Sequence, residues 1–323
     1  MTAEKIKVAV VAGPTASGKT ALAVELAKRH NGEVVSADSM QIYNEMQIGT
    51  ARPDEEEMQG VPHHMMGFLS PSESFSVADY VEQAARCIQD IHIRGKLPIL
   101  AGGTGLYIRS LLRGIRFAQM PEDPSLRREL EEASERDPVA LWETLRQLDP
   151  QAAASIHPNN RKRVVRAVEV CRLTGRPFSV QSQEAAEGES PYHWAMVCIG
   201  FHDRQKLYDR INLRVDQMLA QGLVEEAREF FQHHPGGTAV QAIGYKELAP
   251  YFRGSVTLEE AAEAIRRETR RYAKRQLTWF RREENACWLY ADDPEGKEGL
   301  LPKAEEYFCR EGILPAEKEA GSW

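Results

Sequence analysis

Cysteine is sparse along this chain, and no two of its cysteines are closely spaced. Cys87, Cys171, Cys198, Cys287 and Cys309 are the only five in 323 residues, and no C-x-x-C spacing joins any of them. That argues against a disulfide framework or a thiolate zinc centre and predicts reduced, mostly buried thiols. No apolar run approaches the length that a membrane span requires, so no membrane association is expected. The apolar stretch "IKVAVVAG" near the N-terminus is short and runs straight into a loop, unlike a secretory signal. These features predict a cytoplasmic protein. The net charge of −7 says little about partners until its distribution is known. What is present, 42% hydrophobic and 28% charged residues, describes a globular chain long enough for one large domain or two smaller ones.

Residues 6–11 read as a buried strand rich in valine. The loop "GPTASGKT" follows: Gly13, Pro14, Thr15, Ala16, Ser17, Gly18, Lys19 and Thr20, in the order G-x-x-x-x-G-K-T. Residues 21–29 then place Leu22, Ala23 and Leu26 at helical spacing. Strand, glycine-rich turn and helix are the context that a phosphate loop requires. The glycines let successive amides point into one concavity, the helix N-terminus adds partial positive charge, and Lys19 adds a full one. The Thr20 hydroxyl is suited to Mg²⁺ carried in by phosphates. The motif predicts a bound diphosphate or polyphosphate without saying which.

A second strand, residues 33–37, ends at Asp38-Ser39. Residues just past the carboxyl ends of parallel strands line a ligand crevice, so Asp38 is expected to face the same site as Lys19. It is a candidate Mg²⁺ ligand or general base, with a turn aspartate as the alternative. Residues 76–94 read as a helix opened by a Ser76-x-x-Asp79 capping box, with Tyr80, Ala84, Ile88 and Ile91 in its core stripe. A third strand, residues 97–101, ends at Gly102-Gly103-Thr104-Gly105. This is not the G-x-G-x-x-G of a dinucleotide fold, and it leaves open a packing turn or a site loop. His63-His64 are adjacent, lack a third ligand at zinc-like spacing, and are expected to be structural.

From 123 to about 188 no strand pattern occurs. Residues 124–136, 138–148 and 161–173 read as helices, with Asp137-Pro138 as a start signal, and "EAAEGESP" reads as a polar junction. "YHWAMVCIGF" then returns as a strand. The expected fold is therefore α/β: a P-loop NTPase-like parallel sheet flanked by helices, residues 1–117 and 192–323, carrying an all-α insertion at 118–191. Residues 203–222 read as an amphipathic helix, with Arg210 and Arg214 four apart; these would support a diphosphate or pair with Asp203 and Asp209. Two basic blocks stand out on this acidic chain. One runs from Arg161 to Arg176; the other, "AIRRETRRYAKRQLTWFRR", sets eight basic residues against Glu268. Arg270, Arg271 and Lys274 share a face of the second block and are candidate nucleic-acid contacts, because phosphates respond to the local patch rather than the net charge.

The segments "GPTASGKTALAVELA", "VVSADSMQIYNEMQIGTARP", "VPHHMMGFLSP", "LAGGTGLYIRSLLRG", "NNRKRVVRAVEVCRLTG", "RINLRVDQMLAQGLVEE", "QAIGYKEL" and "RRYAKRQLTWFR" lie in that order from residue 10 to about 282. Together they resemble the bacterial tRNA dimethylallyltransferases, and the lack of a C-terminal zinc finger is like the bacterial members. The resemblance implies transfer of a dimethylallyl group from dimethylallyl diphosphate to N6 of the adenosine 3′ of the anticodon, with Mg²⁺ as cofactor. It implies Asp38 as base, Thr20 at the metal and Arg214 at the diphosphate. It further implies tRNA contacts at Asp38, Ser39, Met40 and Gln41; at Lys162, Arg163, Val164, Val165 and Arg166; and at Gln241, Ala242, Ile243, Gly244, Tyr245 and Lys246. Thr104 and Arg127 are neighbours. The expected partners are the tRNA anticodon stem-loop and dimethylallyl diphosphate, and a monomer is expected. Two rival readings share the phosphate loop: a nucleotide kinase, and a nucleotide-switched RNA-binding protein. The second would need a γ-phosphate sensor, and no convincing D-x-x-G supplies one.

Overall fold

Six segments form one sheet: β1 (Ile6–Ala12), β2 (Gly32–Ala37), β3 (His63–His64), β4 (Leu97–Gly102), β5 (Tyr192–Gly200) and β6 (Ala286–Tyr290). They come from a computed structural model that describes residues 5–115, 123–186, 189–234, 236 and 238–315. The order is β3-β2-β4-β1-β5-β6, and every pairing is parallel. Parallel strands need crossover segments that cover both faces of the sheet, which explains the near-continuous apolar runs. All six residues of β2 are buried, as are Val8 to Ala12 of β1. The register matters for function. Ala37 pairs with Gly102, and Gly102 with Ala12, so the carboxyl ends of β2, β4 and β1 lie level and side by side.

Helix α1 (Lys19–Arg29) follows β1 and buries Leu22, Ala23 and Leu26 on one face of the sheet. A single turn, α2 (Glu55–Met58), precedes β3. Helix α3 (Val77–Ile93) covers the other face with Tyr80, Ala84, Ile88 and Ile91, and its Ser76–Asp79 capping box forms in both directions. The Tyr80 hydroxyl donates to the Ser36 carbonyl at 2.9 Å, which ties this helix to β2. Helix α4 (Gly105–Leu112) starts directly after β4. At the far end of β2 the buried carboxylate of Glu33 binds Arg94, Lys96 and His64. The Arg94 guanidinium holds it well below the usual carboxylate range.

The chain divides into two compact units, Met1–Leu112 with Ser190–Trp323, and Arg113–Glu189. The sequence placed these boundaries at 118 and 191; the first falls at 116–122, which, like Glu187 and Gly188 of the polar junction, lie outside the described residues. The smaller unit contains α5 (Pro124–Arg136), α6 (Pro138–Leu148), α7 (Pro150–Ser155), α8 (Arg161–Thr174) and α9 (Phe178–Ala186). Three of them open alike: Asp123, Asp137 and Asp149 each cap a helix whose next residue is proline. The aspartate side chain accepts orphan amides, and proline forfeits an amide that had no partner. Leu130, Leu141, Leu145, Ile156, Val164 and Val168 form this unit's core. Five helices stand where the sequence suggested three. α7 is too short, and α9 too polar, to show a periodic stripe.

The larger unit continues with α10 (Arg204–Ala220), α11 (Leu223–His233), the short α12 (Ala249–Phe252), the long α13 (Leu258–Phe280) and α14 (Leu300–Arg310). Among the described residues no helix is long and apolar enough to cross a membrane.

Candidate phosphate-loop site

Gly18, at φ +99°, ends the loop as the residue before α1. That left-handed conformation is costly for any residue with a Cβ, so glycine here is a geometric requirement. The loop closes on itself through the Ser17 amide, which donates to the Pro14 carbonyl at 3.3 Å. The Lys19 ammonium reaches back to the same carbonyl at 3.2 Å, and Arg210 donates from Nε to the Ala16 carbonyl at 2.8 Å. The Ser17 hydroxyl is buried without a partner.

Beside the loop is a cavity lined by Lys19 and Thr20 of α1, Asp38 and Gln41 past β2, Gly102 of β4 and Arg214 of α10. The level strand ends bring these groups together, as the sequence anticipated for Lys19 and Asp38. Burial lowers the Lys19 ammonium to about 8; Asp38 opposes that shift and Arg214 adds to it. Burial likewise lowers both Arg214 and Arg210. Such crowding of partly desolvated cations marks a site built for an anion. Neither arginine pairs with Asp203 or Asp209: Asp203 caps α10, and Asp209 accepts from Gln205. Asp38 does form the turn that the simpler reading foresaw, Oδ1 accepting the Met40 amide at 3.0 Å. Its Oδ2 has no hydrogen-bond partner among the described residues and is left for the cavity.

Thr20, Asp38 and Gln41 offer hard oxygen donors suited to Mg²⁺. Among the described residues no cluster of three or more His, Cys, Asp or Glu side chains is placed to hold a metal. The donor set therefore fits an ion held largely by the phosphates and steadied by Thr20.

The loop after β4 packs and also serves the site. A Cβ on Gly103 would come within 2.2 Å of the Gln276 amide, so glycine admits that side chain. Gln276, on α13, accepts the Thr15 amide at 2.9 Å and donates to the Gly103 carbonyl at 3.0 Å. Thr104 accepts the Ser39 amide at 3.1 Å. Tyr272 lies one turn before Gln276, beside Thr104 and the Asp38 charge, and burial raises its phenol well above the ordinary value.

Several site features escaped the sequence. Gln276 lies on the helix face opposite the basic stripe, where its sequence position carries no sign of a role at the loop. Thr50, Ala51 and Met66 line the cavity; they lie within the quoted segments, but no residue chemistry singled them out. The histidines divide: His64 is structural, paired with Glu33 at 2.8 Å, whereas His63 lines the cavity. His63 Nδ1 is bonded to the Val61 carbonyl at 2.8 Å, and its Nε2 is buried without a partner.

The residues expected to contact tRNA differ widely in exposure. Val164 and Val165 are 1% and 2% exposed in the core of the helical unit, so their side chains are closed to any outside ligand. Lys162 and Arg163 are exposed on the same helix, and Arg166 shares Glu169 with Arg127. In "QAIGYK", Ala242 and Tyr245 are buried and Ile243 packs against the same core, while Gln241 is exposed and Lys246 half-buried. Helix α13 also carries less free charge than its sequence suggests. Arg266 is paired with Asp216, Glu259 and Glu263, and Arg270 with Glu263 and Asn212. Arg271 bonds Glu268 on the surface, and Lys274 is exposed.

Comparison with known proteins gives a consistent set. A family model described as IPP transferase matches residues 41–283, and one described as isopentenyl transferase matches residues 6–68. A tRNA dimethylallyltransferase of Acetivibrio thermocellus is 48% identical over 95% of this chain and 99% of its own length. That of Halalkalibacterium halodurans is 49% identical over 90% and 92%. The crystal structure of a tRNA isopentenylpyrophosphate transferase from Bacillus halodurans, 45% identical, superposes with a TM-score of 0.68 over 95% of this chain and all of that one. A eukaryotic dimethylallyltransferase captured acting on tRNA, 29% identical, gives a TM-score of 0.81 over 97% and 81%.

Proposed function

Because this chain belongs to the tRNA dimethylallyltransferase family, we propose that it transfers the dimethylallyl group of dimethylallyl diphosphate to N6 of the adenosine 3′-adjacent to the tRNA anticodon, releasing pyrophosphate. The observation that carries this reading is the convergence of Lys19, Thr20, Asp38 and Arg214 on one cavity. A leaving diphosphate needs concentrated positive charge, and the weak exocyclic amine of adenine needs a base. Both are present within one pocket.

The loop amides, Lys19 and Arg214 hold the diphosphate and stabilise the charge that builds on it as the C1–O bond breaks. Mg²⁺, steadied by Thr20, would supply further charge to the departing pyrophosphate. N6 attacks the electron-poor allylic carbon and a C–N bond forms. The proton released from N6 passes to the Asp38 carboxylate, whose Oδ2 is left available by the turn. No phosphoryl group moves, so the phosphate loop serves here as a grip on a leaving group.

The adenine has to leave its stack to reach such a pocket, which an anticodon loop permits more cheaply than a duplex. Lys162, Arg163, Gln241 and Lys274 are exposed and suited to contact the anticodon stem-loop. The protein acts as a cytoplasmic monomer in this reading. The test is direct: incubate it with dimethylallyl diphosphate, Mg²⁺ and unmodified tRNA, digest, and weigh the nucleosides. Prenylated adenosine is expected. ATP in place of the prenyl donor is the control, and phosphorylated product there would favour a kinase instead.

A further inference from the structure

Glu226 of α11 uses its carboxylate on three consecutive backbone amides. Oε2 accepts from Gln47 at 3.0 Å and from Ile48 at 2.8 Å, and Oε1 accepts from Gly49 at 2.9 Å. The same Oε1 accepts the Tyr245 hydroxyl at 2.6 Å. Tyr245 is fully buried and packs edge-on to Phe230, with ring centroids 5.0 Å apart. Gly49 lies flat against the tyrosine ring, where a Cβ would come within 2.3 Å of Cε2. The 47–49 segment is therefore gripped by a carboxylate and an aromatic ring together.

The next two residues, Thr50 and Ala51, line the phosphate-loop cavity. Ala51 is left-handed at φ +50°, a conformation that persists only where its surroundings enforce it. Enforcement is visible: the Ala51 amide donates to the Ile48 carbonyl at 2.9 Å, and the Arg52 amide to the Gln47 carbonyl at 3.0 Å. The payoff lies at the Ala51 carbonyl. It accepts from Gln41 Nε2 at 3.0 Å and from Arg214 at 3.3 Å, two side chains of the cavity wall.

We propose that Glu226 and Tyr245 are positioning residues for the prenyl diphosphate: they clamp residues 47–51 so that the Ala51 carbonyl aims Arg214 and Gln41 at the phosphate-loop cavity. The buried tyrosine of "QAIGYKEL" thus serves the diphosphate side of the reaction, not the RNA side. This rests on the transferase reading of the cavity.

Three variants test the clamp from different sides. Tyr245→Phe removes one hydroxyl and keeps the ring, Gly49→Ala pushes the loop off the ring, and Glu226→Gln keeps the shape while losing an acceptor. Each is measured for pyrophosphate Kd by calorimetry with Mg²⁺, for KM of dimethylallyl diphosphate, for tRNA Kd, and for Tm. Tyr245→Phe should weaken pyrophosphate and raise the donor KM by roughly ten- to a hundredfold, the range of one hydrogen bond to a charged group, with tRNA Kd unchanged. Glu226→Gln and Gly49→Ala should lose more. An unchanged pyrophosphate Kd in folded Tyr245→Phe overturns the clamp, as does a loss confined to tRNA. Pyrophosphate binding is read on the protein alone. A failure of the transferase reading would show separately, as absent prenyl transfer by the wild type.

Discussion

The side-chain oxygen of Gln276 accepts the backbone amide of Thr15 at 2.9 Å. A residue near the end of the long basic helix thus holds the phosphate loop from 261 positions away, and its nitrogen holds the Gly103 carbonyl of the neighbouring strand end. Gln276→Leu would leave the Gly103 carbonyl unpartnered in a buried setting, at about 1–3 kcal/mol, and the Thr15 amide in a partly buried one. The expected result is a lowered Tm together with weaker pyrophosphate binding, checked by calorimetry. A variant with wild-type values for both would remove Gln276 from the site.

The Lys19 ammonium gives a pH signature. Burial brings it down to about 8, so the free protein loses this proton as pH rises through that value. A bound diphosphate restores favourable charge and pulls the proton back on. Binding should therefore take up protons near pH 8, and affinity should fall by up to about tenfold per pH unit above it. Calorimetry of pyrophosphate binding in buffers of different ionisation enthalpy measures the uptake. Lys19→Ala should abolish it and cut turnover by orders of magnitude while tRNA still binds, because the lysine lies in the phosphate cavity.

The basic helix separates into structural and available charge. Lys274 is exposed, so Lys274→Glu should weaken tRNA binding and reduce its salt slope by about one, with Tm held. Arg270 joins α13 to α10 through Asn212 at 2.7 Å and bonds Glu263 at 2.8 Å. Arg270→Glu should instead lower Tm. Filter binding across a salt series, beside thermal melts, tells the two apart. An unchanged slope for Lys274→Glu would make this helix a merely solvated surface.

The regular parts of the fold were legible because their signals are local. Strand, G-x-x-x-x-G-K-T and helix announce the loop within 24 residues, from Ile6 to Arg29, and the Ser76 capping box announces α3. Asp38 was legible once strand ends were known to line a crevice. Contacts of long sequence separation left no trace: Gln276 reaching Thr15, or Glu226 reaching residues 47–49. Burial of Val164, Val165 and Tyr245 was equally hidden, because a motif gives the identity of its residues and not which of them face inward.

Asp38→Asn is the sharpest test of the chemistry. The amide oxygen can still accept the Met40 amide that Oδ1 now takes at 3.0 Å, so the turn and the fold should survive. What disappears is the charge and the capacity to take a proton from N6. At saturating dimethylallyl diphosphate and tRNA, the single-turnover rate should drop by ~10²–10⁴-fold, the usual worth of a positioned general base. A side effect has to be separated. The Asp38 charge helps keep Lys19 protonated, so its loss lowers the lysine further and weakens diphosphate binding. Working at neutral pH with saturating donor removes that contribution from the rate. If the carboxylate mainly steadied Mg²⁺, raising Mg²⁺ would restore much of the lost rate; if it is the base, Mg²⁺ titration leaves the deficit in place. Near-wild-type single-turnover chemistry in Asp38→Asn would falsify the base assignment, and transfer would then rest on leaving-group stabilisation by the loop amides, Lys19 and Arg214.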